Sequence, residues 1–405
     1  MTLSSHTAPT ATVVVGNVRI ASIDILRGLV MVIMALDHTR DFFHADVALF
    51  DPTDLTKTNP ALFFTRWITH FCAPTFVFLS GVSAYVSTQR KTMHELSRFL
   101  FSRGLWLVIL EFTVVRFGIV FNLYYDFVIF QVIWVIGASM MVLSALIYLR
   151  RKSILGLGLM LIFGHNLLDA IRINPGEPGH FIWAIMQQSG FFPVAPGRVV
   201  LAAYPLLSWL GIMLAGYGIG FLYDREFEAS RRRHILIYSG LACMAIFILL
   251  RFTNAYGDPS PWSTQTNLTF TLLSFINVTK YPVSLLYTLL MMGPVLLILP
   301  FIENVRAKVF EPLRIVGRVP LFYYILHFYL IHISALILYM ISQDKSWSEL
   351  DFNFSAGFGG IPSGAGYTLP WVYVAWISIV CALYPLCKRY YRYKSQHNHW
   401  WLGYL

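Results

Sequence analysis

The stretch RIASIDILRGLVMVIMALDHTRDFFH, residues 19–44, decides the fold. Its apolar centre, as a helix, is long enough to cross the roughly 30 Å hydrocarbon layer of a bilayer. Comparable runs recur along the 405-residue chain, whose mean hydropathy is +0.62 and whose charged residues make up only 12%. Soluble proteins usually carry about twice that charge. The sequence therefore predicts an all-α polytopic membrane protein, and continuous runs without period-two alternation exclude an outer-membrane barrel.

The apolar runs predict about ten transmembrane helices. We expect them at about 22–43, 61–87, 103–122, 127–149, 153–171, 199–222, 234–251, 282–302, 319–341 and 367–387. Two further apolar stretches, 181–192 and 263–279, are too short or too polar to span. We expect these two to lie at one membrane interface or to re-enter from it.

Lys and Arg concentrate in alternate loops, as in 231–233 and 388–394, which predicts that both termini are cytoplasmic. The net charge of +10 is spread over separate short loops, so it reflects topology and excludes a nucleic-acid partner. Residues 1–18 have no basic n-region, and we expect a disordered tail rather than a cleaved signal peptide. Residues 19–395 then form one transmembrane domain, and 396–405 form a cytoplasmic tail.

Two charged pairs lie within predicted spans, where each ionisable group costs about 2.5–3.5 kcal/mol to insert. Asp24 and Arg27 are three residues apart, so on a helix they can neutralise each other. Glu111 and Arg116 are five residues apart and point in different directions on a helix. Each of these two needs a partner on another helix or a wet cavity.

Titratable residues gather at the carboxyl-terminal end of the first predicted helix. If this helix continues to His44, then Asp37, Asp41 and His44 share one face, and His38 can reach Asp41. A carboxylate that fixes the tautomer of an imidazole prepares a general base. A solvated helix end at the membrane boundary would carry the same residues, so the spacing leaves both interpretations open.

Further histidines lie within or near predicted spans. His165 lies four residues before Asp169 and can form a second pair or a packed core contact. No HExxH or other close ligand spacing occurs, so we expect no metal site.

The first two predicted helices carry a family resemblance. Residues 19–44 and RWITHFCAPTFVFLSGVSAYV, residues 66–86, resemble the heparan-alpha-glucosaminide N-acetyltransferase catalytic-domain family in its bacterial form. The segments NVTKYPVSLLYTLLMMGP, residues 277–294, and IVGRVPLFYYILHFYLIH, residues 315–332, look like later landmarks of the same family. The resemblance extends from residue 19 to the end of the chain.

The resemblance implies a membrane acyltransferase in the bacterial inner membrane. It would move an acyl group, in the first instance acetyl, from cytoplasmic acetyl-CoA or another acyl-CoA to an amine or hydroxyl of an envelope sugar or related acceptor. His38 occupies the position where animal members have an asparagine, whereas their histidine lies beyond a Gly-rich linker that this chain lacks. His38 and His44 are therefore both candidates for the base, supported by Asp37 and Asp41. A one-step transfer and a covalent acyl-histidine relay both fit.

We further expect arginines at the cytoplasmic face to bind the phosphates of acyl-CoA. The candidates are Arg27, Arg98, Arg103, Arg314 and Arg318. The expected acceptor-binding residues are Arg66, His70, Lys280, His327 and His332. The expected partners are the lipid bilayer, acyl-CoA and an envelope glycan or small-molecule acceptor, and a homodimer stays open.

Two other classes of function use buried ionisable residues. A proton-coupled transporter would place His, Asp, Glu and Arg within its spans. A non-catalytic membrane protein of the same fold would retain the same pattern. Stabilisation of the purified protein by acyl-CoA separates the enzyme from the transporter.

Overall fold

The computed structural model of this protein describes residues 20–174, 176–303, 305 and 307–404. The predicted tail at 1–18 lies outside these residues. The described chain is mainly α-helical. Its helices are α1 Ala21–Phe43, α2 Pro60–Trp67, α3 Cys72–Ser87, α4 Met93–Leu110, α5 Arg116–Val120, α6 Val132–Leu146, α7 Arg151–Gly164, α8 His180–Met186, α9 Leu206–Ile219, α10 Ala229–Thr253, α11 Leu268–Ile276, α12 Leu285–Ile302, α13 Glu311–Arg318, α14 Pro320–Gln343 and α15 Leu369–Gln396.

Two of the predicted spans are composite helices. A 3₁₀ turn at Ile68–Phe71 joins α2 to α3, and a π-helical segment at Glu111–Val115 joins α4 to α5. Such changes of pitch are frequent at functional sites. Here each joint contains a residue singled out from the sequence, His70 in the first and Glu111 in the second.

Seven helices among the described residues are long and apolar enough to cross a membrane. They are Pro60–Ser87, Arg151–Ala170, Leu206–Tyr223, Ala229–Thr253, Leu285–Ile302, Pro320–Gln343 and Leu369–Gln396. The other predicted spans correspond to α1, which carries charged residues at both ends, to the α4–α5 helix, and to α6, which has only 15 residues. The chain is a multi-pass membrane protein, while the count of about ten spans and the cytoplasmic termini remain predictions.

A three-stranded sheet corrects the all-α expectation. Its strands are β1 Phe127–Phe130, β2 Gly190–Ala195 and β3 Arg198–Ala202. β3 pairs in parallel with β1 and antiparallel with β2, and Gly197, at φ +69°, supplies the left-handed backbone of the β2–β3 turn. Predicted spans 127–149 and 199–222 therefore begin as strands. Short Val- and Phe-rich runs have the hydropathy of a helix start, so periodicity cannot separate the two.

α1 lies at the centre of the bundle and packs against α3, α12, α13, α14 and α15. Its contact with α13 depends on two glycines. A Cβ added to Gly28 would lie 1.9 Å from the Leu313 carbonyl oxygen, and one added to Gly317 would lie 1.9 Å from the Asp24 carbonyl oxygen. Small residues at both positions thus let the two backbones touch.

The buried charges of the predicted pairs have partners. Asp24 lies 3.6 Å from Arg27, as expected, and also 3.2 Å from Arg318. Glu111 accepts a hydrogen bond from the Trp134 backbone N–H at 2.8 Å. Arg116 donates to the Asn122 and Phe127 carbonyl oxygens at 2.6 and 2.9 Å. These contacts fix the bundle.

The second histidine–carboxylate pair that the sequence suggested does not form. His165 Nε2 lies 2.7 Å from the Val283 carbonyl oxygen, and Nδ1 lies 2.9 Å from that of Leu161. Asp169 instead accepts hydrogen bonds from Asn166 and Gln187. The 3₁₀ turn at His165–Ala170 ends the regular helix, so the i, i+4 spacing no longer brings the two side chains together.

Candidate active site

A cavity of about 950 Å³ lies at the carboxyl-terminal end of α1. We call it the His38 cavity. Asp37, His38 and Asp41 line it from α1, and His44 lines it just beyond the helix. Arg66 on α2 and Lys280, in the segment before α12, add two cationic side chains to the lining. The structure therefore brings four predicted catalytic residues and two predicted acceptor-binding residues to one space.

The remaining wall of the His38 cavity is largely apolar. β1, β2 and β3 contribute Phe127, Phe191 and Leu201, and the loop before α15 contributes Phe354 and Phe358. The loop is anchored to the sheet, because the Phe354 ring stacks on Phe127 at 4.0 Å between centroids. The strands that the sequence analysis missed thus form part of the candidate site.

His38 is the histidine whose surroundings suit a general base. Its Nδ1 lies 3.6 Å from Asp41 Oδ2, and its side chain is 18% exposed. A carboxylate facing Nδ1 favours the tautomer with the proton on that nitrogen, which leaves the Nε2 lone pair as the base. The distance is slightly beyond a hydrogen bond, and such contacts often tighten only when substrate binds.

His44 is placed differently from the sequence expectation. α1 ends at Phe43, and His44 is extended at φ −83° and ψ 131°, so the helical i+7 register does not reach it. Its Nδ1 accepts the Asp46 backbone N–H at 3.2 Å, which leaves the neutral ring a proton on Nε2 and no free lone pair. Burial, with Arg40 adding to it, holds the pKa of His44 below its ordinary value. His44 therefore suits a donor better than a base.

The carboxylates of the cavity are tied to arginines. Asp37 lies 2.5 Å from Arg66 and 3.2 Å from Arg40, and Asp41 lies 2.5 Å from Arg40. Arg40 is buried behind the cavity wall. The i, i+4 spacing places Asp37 and Asp41 one turn apart on the same side of α1, and Arg40 holds both carboxylates in place.

Lys280 and Arg66 make one side of the cavity positive. Burial alone would raise the pKa of the neighbouring Tyr281 hydroxyl, but the charges of Lys280 and Arg66 outweigh it, so this pKa is lowered from its ordinary value. Tyr281 also lines the cavity and was not singled out from the sequence. What could have indicated Tyr281 in the sequence is its position next to Lys280, in a polar segment between two apolar runs.

Three of the predicted acceptor-binding histidines lie outside the cavity wall. The Tyr287 hydroxyl donates to the His70 carbonyl oxygen at 2.7 Å, and the His70 ring packs near Tyr287. His327 is fully buried, with its ring 5.2 Å from that of His38. The ring nitrogens of His332 lie 2.9 Å and 2.6 Å from the carbonyl oxygens of Gly118 and Gly359. Their place in apolar spans was read correctly, but neighbouring elements cover these three side chains.

Two features of the site had weak sequence signals. Tyr324 lines the cavity, and its buried hydroxyl forms no hydrogen bond with the described residues. Tyrosine is hard to single out in an aromatic span. The loop FSAGFGGIPSGAG, residues 354–366, lines the cavity along most of its length, and only its glycine density marked it as irregular.

A second cavity of about 460 Å³ lies at the amino-terminal end of α1. We call it the Arg27 cavity. Its basic lining residues are Arg27, Arg90, Lys91, Arg103, Arg318 and Lys394. Arg27 donates to the Ser83 hydroxyl at 3.0 Å, and Arg318 donates to the Tyr391 hydroxyl at 2.5 Å. The cavity thus combines positive charge with hydroxyl groups, as a phosphate site would.

Two predicted phosphate-binding arginines lie elsewhere. Arg98 is exposed on α4, and Arg314 lies 3.4 Å from Glu311 and donates to the Val305 carbonyl oxygen. Neither lines the Arg27 cavity. Arg98 lies on the outward face of its helix, five residues before Arg103, which explains the difference. Among the described residues, no three His, Cys, Asp or Glu side chains gather as a metal site would require.

The fold and the two cavities define a multi-pass membrane protein with ionisable residues buried among its helices. A family model described as "Heparan-alpha-glucosaminide N-acetyltransferase, catalytic" matches residues 19–251. This is more than half of the chain, and the protein belongs to that family. The match confirms the resemblance of the first two predicted helices, whereas the landmarks at 277–294 and 315–332 lie beyond it. None of the curated protein sequences compared with the chain matches it.

Proposed function

We propose that this protein is a membrane acyltransferase of the bacterial inner membrane. It transfers an acyl group, in the first instance acetyl, from cytoplasmic acyl-CoA to an amine or hydroxyl of an envelope sugar or related acceptor. The observation that carries the proposal is the His38–Asp41 pair, 3.6 Å apart, at the wall of a large cavity. Family membership supports the same class of reaction.

The acceptor would bind in the His38 cavity with its nucleophile beside His38 Nε2. His38 takes the proton from the acceptor N–H or O–H while that nitrogen or oxygen attacks the thioester carbonyl carbon. Asp41 stabilises the resulting imidazolium. The tetrahedral intermediate then collapses, the C–S bond breaks, and the CoA sulfur leaves with the proton that His38 held. The Tyr324 side chain lines the cavity, and its buried hydroxyl has no hydrogen-bond partner among the described residues, so we assign it as the donor to the oxyanion.

The donor would bind with its phosphates in the Arg27 cavity. Arg27 and His38 lie on the same helix, about 16 Å apart along its axis at 1.5 Å per residue. An extended pantetheine arm can cover this distance. Arg103 and Arg318 line the Arg27 cavity with Arg27, and they supply the charge that the phosphates need.

The direct test is purified protein in lipid nanodiscs with radiolabelled acetyl-CoA and a mixture of amino sugars. We expect label to appear in the acceptor and acetyl-CoA to raise the melting temperature. A transporter of another substrate would show neither response. The absence of both, across acetyl-CoA and longer acyl-CoA donors, would overturn the proposal.

The proposal also fixes the orientation in the membrane, because the donor must enter from the cytoplasm. Reporter fusions after Lys345 and after Leu405 should therefore report opposite sides of the membrane. Activity of the same reporter at both positions would contradict the topology and the direction of transfer.

A further inference from the structure

Lys280 is an unusual buried cation in this molecule. Among the described residues, the buried Lys and Arg side chains are Arg40, Arg116, Arg251 and Lys280. Arg40 contacts two carboxylates, and Arg116 lies 3.4 Å from Asp126. Arg251 donates to four backbone carbonyl oxygens. Three of the four therefore have carboxylate or carbonyl partners within the protein.

Lys280 has no such partner among the described residues. Its side chain lines the His38 cavity and is 7% exposed, yet Nζ has no carboxylate within 4.0 Å and forms no hydrogen bond there. The nearest described ring contact, that of Tyr281, lies 5.1 Å from Nζ. A charge on a mostly buried side chain that has no partner in the protein is costly, and proteins retain such groups mainly for function.

The acids that could neutralise Lys280 are already engaged. Asp37 is held by Arg66 and Arg40, and Asp41 is held by Arg40. Three cations thus face two carboxylates around this end of the cavity. The surplus positive charge lies on the side of Lys280 and Arg66. An anion bound there would neutralise it, and the described residues do not supply one.

The segment that carries Lys280 is held in place. Asp258 accepts hydrogen bonds from the Thr279 backbone N–H and from the Ser284 hydroxyl, at 2.9 Å and 2.8 Å. The Asn277 amide donates to the Thr53 carbonyl oxygen at 2.9 Å. Lys280 lies between these anchors, so it is positioned before any ligand arrives. Preorganised charge of this kind is what an anion site requires.

The rest of the cavity suits an apolar group. Its wall includes Phe76, Phe191, Leu201, Phe328, Phe354 and Phe358. Phe191 on β2 is 62% exposed, which gives the cavity an apolar edge at the surface of the protein. A volume of about 950 Å³ is at the upper end of ordinary ligand pockets, which measure about 300–1,000 Å³. A single sugar ring would leave most of this wall unused.

We propose that the acceptor is an anionic amphiphile, whose phosphate, sulfate or carboxylate group binds between Lys280 and Arg66 and whose apolar chain packs on the aromatic wall. The inference rests on the proposed function, because it assigns the acceptor to this cavity and the donor to the Arg27 cavity. The inference restricts the class of acceptor from any envelope sugar to a sugar that is carried on an anionic lipid.

Binding without turnover tests the inference separately from catalysis. The protein is placed in nanodiscs without acyl-CoA, and its melting temperature is titrated with octyl phosphate, octyl glucoside and inorganic phosphate. We expect octyl phosphate to stabilise the protein at a concentration at least about tenfold lower than either of the other probes, because it combines both features. Octanoate and octyl sulfate then identify which acid group binds best.

Lys280→Met removes the charge and keeps the length of the side chain. It should weaken octyl phosphate binding by about tenfold or more, and Lys280→Gln is the second variant if Lys280→Met does not fold. Lys57→Met, at an exposed lysine outside the cavity wall, is the matched control and should respond like the wild type. Equal binding of octyl phosphate and octyl glucoside to the wild type, or unchanged binding to both Lys280 variants, would overturn the anion site. If inorganic phosphate binds as tightly as octyl phosphate, the aromatic wall does not bind an apolar chain, and that half of the proposal is overturned.

The two proposals fail in different ways. If the protein binds octyl phosphate but transfers no acyl group, the proposed acyltransferase function is wrong and the proposed anion site stands. If the protein transfers an acyl group to a neutral amino sugar without a chain as efficiently as to an anionic lipid acceptor, the proposed function stands. The inference of an anionic amphiphile is then wrong.

Discussion

The two ends of α1 hold cavities that balance charge in opposite ways. In the Arg27 cavity, Asp24 is the one acidic side chain among the described lining residues, and six basic ones surround it. In the His38 cavity, Asp37 and Asp41 are paired with Arg66 and Arg40, Lys280 has no carboxylate partner among the described residues, and aromatic side chains fill much of the remaining wall. An unbalanced cluster suits a mobile polyanion, whereas a paired cluster fixes individual atoms for chemistry. In the proposed mechanism, one helix thus separates a donor-binding end from a reacting end.

Replacing His38 with alanine should give the largest effect. If the carboxyl-terminal end of α1 performs the chemistry, His38→Ala loses about 10²–10⁴-fold in kcat, because the other histidine of the described cavity lining, His44, has its Nδ1 lone pair engaged. The measurement is transfer of label from acetyl-CoA. His44→Ala should retain most of the activity, since His44 Nδ1 is occupied by the Asp46 N–H. His94→Ala, at an exposed site on α4, is the control for the effects of substituting and purifying a histidine variant.

A reversed result would exchange the roles of the two histidines. Loss of activity in His44→Ala alone would make His44 the base. If both variants keep full activity, the carboxyl-terminal end of α1 is only a charged membrane boundary. The proposed difference in role between the two ends of α1 would then be wrong.

Replacing Arg103 tests the other end. Arg103 lines the Arg27 cavity, and a charge-assisted hydrogen bond to phosphate contributes about 1.5–3 kcal/mol. Arg103→Ala should therefore raise KM for acyl-CoA by about 10–100-fold, with little change in kcat. High salt should weaken wild-type binding and affect the variant less. Arg98→Ala, on the same helix but outside the cavity, is the matched control. A similar response in both variants would mean that general surface charge, rather than this cavity, attracts the donor.

Asp41→Asn should have a smaller effect on kcat than His38→Ala. The asparagine keeps the shape of the side chain but cannot stabilise an imidazolium at His38. We expect a loss of about tenfold or less in kcat and an unchanged KM for acyl-CoA, as the Arg27 cavity is not altered. Steady-state kinetics with both substrates separates these constants. A loss as large as that of His38→Ala would show that Asp41 takes part more directly in the proton transfer.

The sequence predicted the helices of the bundle better than it predicted the cavity. Long apolar runs identify helices because hydropathy is a local property. The pairing of Asp37 with Arg66 and the position of Lys280 depend on contacts between distant segments, which periodicity on one helix cannot reveal. The same limit explains His332, which was expected to bind the acceptor, although its ring nitrogens lie beside the carbonyl oxygens of Gly118 and Gly359. The strands were missed because FVIF is too short to show a period.

Gly317→Ala should give the smallest effect on kcat, although it displaces one helix. A Cβ at Gly317 would meet the Asp24 carbonyl oxygen at 1.9 Å, so α13 has to move away from α1. Overpacking of this kind costs about 1–3 kcal/mol in the free energy of unfolding. The displaced α13 carries Arg318, which pairs with Asp24 at 3.2 Å at the wall of the Arg27 cavity. We therefore expect weaker acyl-CoA binding and a nearly unchanged kcat, because α1 near His38 keeps its contacts with α14.

Gly156→Ala is the matched control for this last variant, since a Cβ there has no atom within 4 Å and lies within α7. It should leave acyl-CoA binding unchanged and stabilise the protein slightly, by up to about 1 kcal/mol, as alanine favours a helix over glycine. Thermal unfolding and the KM for acyl-CoA measure both effects. If Gly317→Ala instead lowers kcat as strongly as it raises KM, the two ends of α1 are mechanically coupled. The separation of binding from reaction along this helix would then be wrong.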